Sequence, residues 1–276
     1  MFPESMIDAA LARALERGEL FLDFQPQVEA RTGRVAAVEA LLRWRHAQRG
    51  LISPAIFIPA AERSGLIVPI GDWVLRAACQ QSRRWLDAGL APVRMAVNLS
   101  ASQFSDQRLA RRVEASLDGA GLEPPDLELE ITESMMARDA DDAARIVRAL
   151  RASGVRLMID DFGTGFSSLA SLKRFPIDGL KLDRAFVAHL PHDPYDATIT
   201  RAVVAITRDL GLDLVAEGVE TDDQRIFLTE LGCGLLQGYL TGRPQSPERV
   251  AELLRPSPRR ECVSLSASRP AERRGS

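Results

Sequence analysis

The chain has 276 residues, of which 46% are hydrophobic, and a formal net charge of −3. This length allows a full core in one large α/β domain or in two small ones. The sequence has neither an apolar stretch long enough to cross a bilayer nor the basic region and apolar core of a signal peptide. We therefore exclude a membrane-spanning or exported chain and expect a cytoplasmic protein.

The organisation of the chain favours a single domain followed by a tail. No compositional boundary interrupts residues 1–255, so we expect one domain there, in which residues 1–18 are an N-terminal helix that leads into the core. From Arg255 onward, six arginines stand against two glutamates and the apolar residues lack periodicity. We expect residues 256–276 to be a disordered basic tail, and a solvated terminus is a simpler interpretation than contact with nucleic acid or membrane.

Cysteine and histidine form no metal-ligand motif in this sequence. Cys79, Cys233 and Cys262 are far apart and odd in number, which indicates reduced thiols. The three histidines also lack ligand spacing. The sequence has no basic strip interleaved with aromatic residues, the pattern that would predict binding to a DNA or RNA polymer.

The first two predicted strands form a hairpin. After a helix that can end at Gly18, residues 20–28 and 35–44 have the composition of strands, and a short polar turn with Thr32 and Gly33 separates them. So short a connection permits a hairpin and excludes a parallel crossover. We therefore expect these two strands to be antiparallel.

The rest of the chain alternates helices with strands. Helices are predicted over residues 54–64 and 67–88, and strands over residues 93–98, 127–132, 155–160, 178–182, 213–217 and 234–238. Eight strands, mostly in βα units, predict a modified TIM (β/α)8 barrel whose first strand is antiparallel to the rest. An open doubly wound sheet is the alternative, but the sequence lacks its glycine-rich fingerprint.

Polar side chains lie at the carboxyl ends of these strands, which meet at one mouth of a barrel. They are Glu39, Asn98, Glu130, Asp160, Asp161, Lys181, Glu217 and Gln237. Clustered carboxylates repel one another at roughly several kcal/mol per unpaired buried ion, so cations must offset them. Oxygen ligands favour Mg²⁺ or Mn²⁺, and two such ions are the usual clamp for phosphodiester hydrolysis. A single strand-end glutamate is more often a solvated cap, so the prediction rests on the joint placement.

Several motifs also carry a family resemblance. Residues 39–44 read EALLRW, and they are followed by NLSA from Asn98, ELEITES from Glu128, DDFGTGFSSL from Asp160, LKLDRAF from Leu180, AEGVE from Ala216 and QGY from Gln237. In wording, order and spacing the chain resembles the EAL family of cyclic di-GMP phosphodiesterases over about residues 6–254.

The resemblance implies a metal site and a reaction. It implies a first ion held by Glu39, Asn98, Glu130 and Asp160, and a second held by Asp160, Asp161 and Glu217. The ions would be Mg²⁺ or Mn²⁺, with Ca²⁺ expected to inhibit. Lys181 would hold or polarise the attacking water, Gln237 would lie beside that water or the ligand, and Glu217 would be a metal ligand or a general base. Metal-activated water would then open cyclic di-GMP to linear 5'-pGpG. Lys181 is one of only two lysines among 35 basic residues, which agrees with a special role.

The resemblance also implies substrate contacts and an assembly. Arg43 matches a residue that grips a substrate phosphate, and Gln25, Leu41 and Asp183 match substrate-binding positions. Gly163 and Gly165 permit a tight turn, and in the family this loop, anchored by the residue matching Glu133, couples the metal site to a dimer interface. We therefore expect a homodimer.

Three hypotheses follow from the sequence. The first is a cyclic di-GMP phosphodiesterase, which the complete set of matched residues supports. The second is a non-catalytic module that binds cyclic di-GMP as a sensor; such modules usually lack a metal or lysine position, and this chain lacks none. The third is an unrelated metal-dependent barrel enzyme acting on another phosphate ester. An upstream sensor or signalling partner is not visible in the sequence.

Overall fold

The structure is a computed structural model that describes residues 4–163 and 174–255, without the side chains of residues 4–6 and 138. The strands are β1 (Leu20–Glu29), β2 (Val35–His46), β3 (Gly50–Ile52), β4 (Arg94–Asn98), β5 (Leu127–Thr132), β6 (Arg156–Phe162), β7 (Gly179–Leu182), β8 (Asp213–Ala216) and β9 (Leu235–Leu236). The helices are α1 (Glu4–Glu16), α2 (Pro54–Ser64), α3 (Ile67–Asp87), α4 (Ala101–Phe104), α5 (Leu109–Ala120), α6 (Glu133–Arg138), α7 (Ala140–Ala152), α8 (Arg184–Val187), α9 (Pro194–Leu210), α10 (Asp222–Leu231) and α11 (Pro247–Leu253), with a 3₁₀ turn at Pro124–Asp126.

Eight of the described strands close into a barrel. The strand order is β1-β9-β8-β7-β6-β5-β4-β2, and pairing of β1 with β2 closes the ring. Strand β1 is antiparallel to both β2 and β9, whereas the pairs from β2–β4 round to β8–β9 are parallel. The predicted modified TIM barrel with an antiparallel first strand is confirmed.

Strand β3 is the one described strand that the sequence pattern did not predict. It lies outside the barrel and extends β2 as a hairpin, pairing Trp44 with Ile52 and His46 with Gly50. Three residues are too few to establish a period-two pattern, and the turn depends on Gly50 at φ 69°.

Alternation along the strands separates the outer core from the barrel interior. In β1, Leu22 and Phe24 face the outer layer and are buried, where the Phe24 ring packs edge-on against Trp85 with centroids 5.1 Å apart. Trp44 of β2 is buried on the same side and donates a hydrogen bond from its indole nitrogen to Glu19. Each fully buried side chain of this kind stabilises the fold by roughly 1.5–3 kcal/mol.

Helix α3 illustrates how the outer layer is held. Its buried residues recur every three or four positions and form one apolar face: Ile67, Ile70, Val74, Leu75, Ala78, Cys79, Ser82 and Trp85 among them. This face packs on strands β1, β2 and β4 and on helix α5. None of the helices in residues 4–163 and 174–255 is long and apolar enough to cross a membrane.

The barrel interior is layered along its axis. Met158, Val215 and Leu235 form a small apolar cluster of their own, apart from the main core. Gly179 lies beside this layer, where a Cβ would be 2.7 Å from the Met158 sulfur and 2.5 Å from the carbonyl oxygen of Asp213. Charged side chains lie above and below this apolar layer, at the carboxyl and amino ends of the strands.

Candidate active site

Lys181 is the centre of the carboxyl end of the barrel. Its side chain comes from β7 and is 1% exposed. The ammonium nitrogen lies 2.7 Å from Glu217 Oε1, 2.8 Å from Glu130 Oε2, 3.3 Å from Asp160 Oδ1 and 3.7 Å from Glu39 Oε2. Four strand ends therefore bring their carboxylates to one ammonium, as the predicted topology requires.

The charges at this end do not balance within the described residues. One lysine ammonium contacts four carboxylates, and Asp161 lies close to Asp160 and Glu217. Burial raises the pKa of Glu130 well above its usual value, with the charge of Glu39 acting in the same direction. Burial also raises the pKa of Glu217, to about 7, although Lys181 opposes the shift. These carboxyls resist ionisation because the surrounding positive charge is insufficient.

In Glu39 and Lys181 the pKa shifts favour the charged form, because the partners of each group outweigh its burial. Burial alone would raise the pKa of Glu39, but the charge of Lys181 and hydrogen bonds from Gln237 and Asn98 lower it below its ordinary value. Burial alone would lower the pKa of Lys181, but Glu130 and the other carboxylates raise it well above the ordinary value. Lys181 therefore stays charged, and Glu39 stays ionised.

A β-bulge brings Asp160 and Asp161 to the same site. Consecutive strand residues normally point to opposite faces, but the β6–β7 register shifts between Ile159 and Phe162, and Asp161 has φ 54°. The Asp161 amide donates to Asp160 Oδ1 at 2.9 Å. Left-handed backbone at a residue other than glycine is strained, and such strain often marks a functional site.

The residues of this end fit a hard divalent cation. Asp160, Asp161 and Glu217 each offer an oxygen within 4.8 Å of the others, the one such group found among the described residues. Glu130 Oε1 is buried and has no hydrogen-bond partner in the described part of the chain. Because a buried carboxylate oxygen without a donor is costly, a cation is the natural partner. This cluster could bind a metal.

The other predicted ligand set lies around Lys181. Glu39, Glu130 and Asp160 contact the ammonium as described above, and Asn98 donates from Nδ2 to Glu39 Oε1 at 2.6 Å. Register places Asn98 beside Glu130 on the neighbouring strand. The structure therefore brings the predicted metal-ligand residues together at one end of the barrel.

Three glutamines support Glu39 from the side of β1. Gln237 donates from Nε2 to Glu39 Oε2 and to Gln25 Oε1, the latter at 3.3 Å. Gln27 donates from Nε2 to Gln237 Oε1 at 3.0 Å. The sequence analysis did not select Gln27, although its position two residues after Gln25 on a strand places both on the interior face.

Two cavities adjoin the cluster and are lined by three of the four predicted substrate residues, Gln25, Leu41 and Arg43. A cavity of 310 Å³ is lined by Leu41, Arg43 and Asn98 together with apolar residues of α2 and α3. A second cavity, of 230 Å³, is lined by Gln25, Glu39, Glu217 and Gln237 with Arg184, Gly218, Glu220, Gly238 and Tyr239. The carboxylates therefore lie next to space that a ligand can enter.

The remaining predicted site residues have structural partners. Arg43 forms a salt bridge from Nε to Asp23 Oδ2 at 2.9 Å. Asp183 caps α8 by accepting from the amide of Ala185 at 2.7 Å, and its charge contributes to a raised pKa of Asp161, for which burial is the main cause. These contacts fix both side chains at the rim.

The predicted coupling loop is described only in part. Glu133 is the first residue of α6. Gly163 has φ 100°, and a Cβ there would lie 2.7 Å from the Phe186 ring, so this position requires glycine. Gly165 lies outside the described residues, as does the predicted basic tail.

Comparison with known proteins identifies the family. The EAL domain model matches residues 8–244, and the chain belongs to the EAL domain family. It is 54% identical over 240 residues to the bifunctional diguanylate cyclase/cyclic di-GMP phosphodiesterase MucR of Pseudomonas aeruginosa, covering 87% of this chain and 35% of MucR. It is 43% identical over 252 residues to the cyclic di-GMP phosphodiesterase NbdA of the same organism, covering 91% of this chain and 32% of NbdA. The chain thus spans about a third of the length of these relatives.

A solved structure has the same fold. The structure described as PaMucR phosphodiesterase in complex with c-di-GMP matches with a TM-score of 0.85 and 53% sequence identity. The match covers 89% of this chain and 99% of that one. The similarity therefore extends across the whole barrel and its carboxyl end.

Proposed function

We propose that this chain hydrolyses cyclic di-GMP to linear 5'-pGpG. The observation that carries the proposal is the excess of carboxylates around Lys181 at the carboxyl end of the barrel. Membership of the EAL family and the names of the relatives supply the substrate. Divalent cations offset the excess charge, and a phosphodiester is the substrate class that such a centre commonly cleaves.

The metal ligands are those that the sequence predicts. Glu39, Asn98, Glu130 and Asp160 would hold one ion, and Asp160 with Asp161 and Glu217 would hold the second. When bound, two Mg²⁺ or Mn²⁺ ions supply Lewis acidity and positive charge for the phosphoryl oxygens. Ca²⁺, which is larger and prefers more ligands, should inhibit.

Lys181 and Glu217 are the residues that act on the attacking water. The water oxygen forms a bond to phosphorus, and the bond from phosphorus to the ribose 3' oxygen breaks. Lys181 is held charged by Glu130 and Glu217, so its ammonium donates hydrogen bonds that orient the water and does not act as a base. Glu217, with a pKa near 7, is suited either to accept the proton of the water or to bind metal. The 3' oxygen takes up a proton, from protonated Glu217 or from solvent water, and leaves as a hydroxyl.

The rim holds the rest of the substrate. Arg43 lines the 310 Å³ cavity and would contact a substrate phosphate. Leu41 borders the same cavity, and Gln25 borders the 230 Å³ cavity. These two spaces would receive the guanine bases, with Asp183 contributing a polar contact at the rim.

Product analysis tests this proposal. Purified protein is incubated with cyclic di-GMP and Mg²⁺ or Mn²⁺, with chelator and Ca²⁺ as controls, and nucleotides are separated by chromatography. We expect pGpG only with Mg²⁺ or Mn²⁺. Tight binding without product would favour the sensor hypothesis, and neither binding nor product would contradict the cyclic di-GMP assignment. From the family resemblance we also propose a homodimer and an upstream signalling partner, and light scattering of the purified protein tests the homodimer.

A further inference from the structure

We propose that Gln27 is a positioning residue of the metal site, which acts by fixing the amide of Gln237 against Glu39. The inference rests on the proposed function only in treating Glu39 as a metal ligand. Gln27 is on β1, is 0% exposed and lines neither of the cavities that adjoin the cluster. It therefore acts on the site only through other side chains.

The direction of the hydrogen bonds makes the arrangement specific. Gln237 Oε1 accepts from Gln27 Nε2 at 3.0 Å, and Gln237 Nε2 donates to Glu39 Oε2. If the Gln237 amide rotated by half a turn, its oxygen would face the Glu39 carboxylate and its nitrogen would face the Gln27 donor. Both contacts would become repulsive. Gln27 therefore selects the amide orientation in which Gln237 supports Glu39.

Glu39 is held at both oxygens. Asn98 donates to Oε1 at 2.6 Å and Gln237 donates to Oε2. Partners of this kind orient a ligating carboxylate, and their removal typically costs 10- to 100-fold in metal affinity. Without Gln27, the Gln237 oxygen loses its donor and only the contacts with Glu39 and Gln25 hold the amide, so the support of Glu39 weakens.

A purely structural role does not explain Gln27. Its Oε1 is buried and has no hydrogen-bond partner within the described parts of the chain. A buried acceptor without a donor destabilises the fold, so an apolar side chain of similar size would suit the packing at least as well. What an apolar side chain cannot supply is the donor to Gln237.

The test is the affinity of metal-free protein for Mn²⁺, measured by isothermal titration calorimetry. Gln27→Met keeps the volume and removes the donor, and we expect its affinity to fall about 10- to 100-fold. Thermal stability of the metal-free variant should change little, because the unpaired Gln27 Oε1 is removed while Gln237 Oε1 loses its donor. At limiting Mn²⁺ its turnover of cyclic di-GMP should fall, and excess Mn²⁺ should restore it with an unchanged KM.

Two further variants separate the donor from the packing. A neutral histidine keeps an N–H donor and adds no buried charge, so Gln27→His should stay within about threefold of wild type. Gln224 provides the matched control because it is also a buried glutamine, but its side chain bonds backbone groups of Val187, Ala188 and Glu220 and no side chain around Lys181. Gln224→Met should lower thermal stability and leave Mn²⁺ affinity unchanged. If Gln27→Met does not fold, Gln27→Leu takes its place.

The outcomes separate this inference from the proposed function. Wild-type Mn²⁺ affinity in Gln27→Met, or an equal loss in Gln27→His and Gln27→Met, would overturn the positioning role. A wild-type protein that binds Mn²⁺ but does not cleave cyclic di-GMP would contradict the proposed reaction, while the variant series would still support the role of Gln27. A wild-type protein that does not bind Mn²⁺ would overturn both.

Discussion

The two ends of the barrel interior both contain buried charge, but they balance it differently. At the amino end, Glu128 is 1% exposed and lies 3.3 Å from Arg156 Nε and 3.5 Å from Arg94 Nε. Arg156 also contacts Asp213 at 2.7 Å. Two arginines therefore face two carboxylates among the described residues there, whereas at the carboxyl end Lys181 alone faces four.

The difference distinguishes a structural cluster from a functional one. Glu128 and Glu130 are two positions apart on β5 and both point into the barrel. Burial raises the pKa of both glutamates. At Glu128 the positive charge of Arg94 opposes this rise, whereas at Glu130 the negative charge of Glu39 adds to it. At the amino end, the charges of Arg94 and Arg156 offset those of the carboxylates. The carboxyl end needs charge from a ligand.

The largest difference in activity should come from replacing a glutamate by glutamine at each of the two ends of the barrel. Glu39→Gln removes a metal ligand, so we expect kcat/KM for cyclic di-GMP to fall at least about 100-fold. This loss is larger than the one that typically follows removal of a group that only hydrogen-bonds to a ligand. Glu128→Gln should leave kcat/KM within about twofold. Steady-state kinetics at saturating Mn²⁺ measures both, and equal activity of Glu39→Gln and wild type would contradict the metal assignment.

Removal of the lysine should reduce turnover with substrate binding retained. For Lys181→Met we expect kcat to fall about 100-fold, the effect of losing one group that orients or polarises the reacting water, with KM within about threefold. The metal-free variant should also melt at a lower temperature, because four carboxylates lose their shared cation. A kcat equal to that of wild type would remove Lys181 from the mechanism.

Metal removal should lower the stability of the carboxyl end. Each bound Mn²⁺ ion, at about 100 times its dissociation constant, stabilises the folded state by about 2.7 kcal/mol, which corresponds to a rise in Tm of about 5–10 °C per ion for a chain of this size. Thermal melts with Mn²⁺ and with chelator measure this. Glu128→Gln should show the same rise as wild type and Glu39→Gln a smaller one; a rise of the same size in both variants would place the metal elsewhere.

Breaking the amino-end cluster should affect stability alone. Arg156→Leu leaves Glu128 with Arg94 as its remaining close partner, and we expect the free energy of unfolding to fall by about 2 kcal/mol, less than for a fully buried pair because the Arg156 side chain is 24% exposed. Denaturant unfolding measures the change, and kcat/KM serves as the control. A loss of activity without a loss of stability would contradict the structural interpretation of this end.

The smallest expected effect is the pH dependence of metal affinity. The pKa of Glu217 is about 7 in the metal-free protein, and a cation binds the ionised carboxylate. Protons therefore compete below pH 7, and Mn²⁺ affinity should fall about fivefold between pH 7 and pH 6, with little change above pH 8. Glu217→Gln should bind more weakly with a flatter profile. A wild-type affinity that does not vary between pH 6 and pH 8 would show that Glu217 is not a ligand.

Much of the fold and of the site could be predicted from sequence, because both depend on strand order and alternation. Glu39, Glu130 and Lys181 lie near the ends of apolar runs, and closure of parallel strands brings such residues to one rim. The antiparallel first strand followed from the short turn after residue 28. These features depend on chain connectivity and hardly on the details of packing.

The remaining features depend on tertiary contacts that no local pattern encodes. The left-handed backbone of Asp161 arises from a register shift between β6 and β7, and the sequence alone allows an ordinary strand there. Gln27 was missed because its importance comes from a partner 210 positions away, Gln237. The contact of one ammonium with four carboxylates is likewise a property of the closed barrel.

Calorimetric titration of Mn²⁺ into metal-free protein at pH 7 tests the central claim most directly. The charge excess at the carboxyl end predicts two ions bound per chain, with release of protons, in wild type and in Glu128→Gln. Binding should be lost or strongly weakened in the double variant Glu39→Gln, Asp160→Asn. No binding by wild type, or wild-type binding by the double variant, would contradict the claim that this end of the barrel is a metal centre.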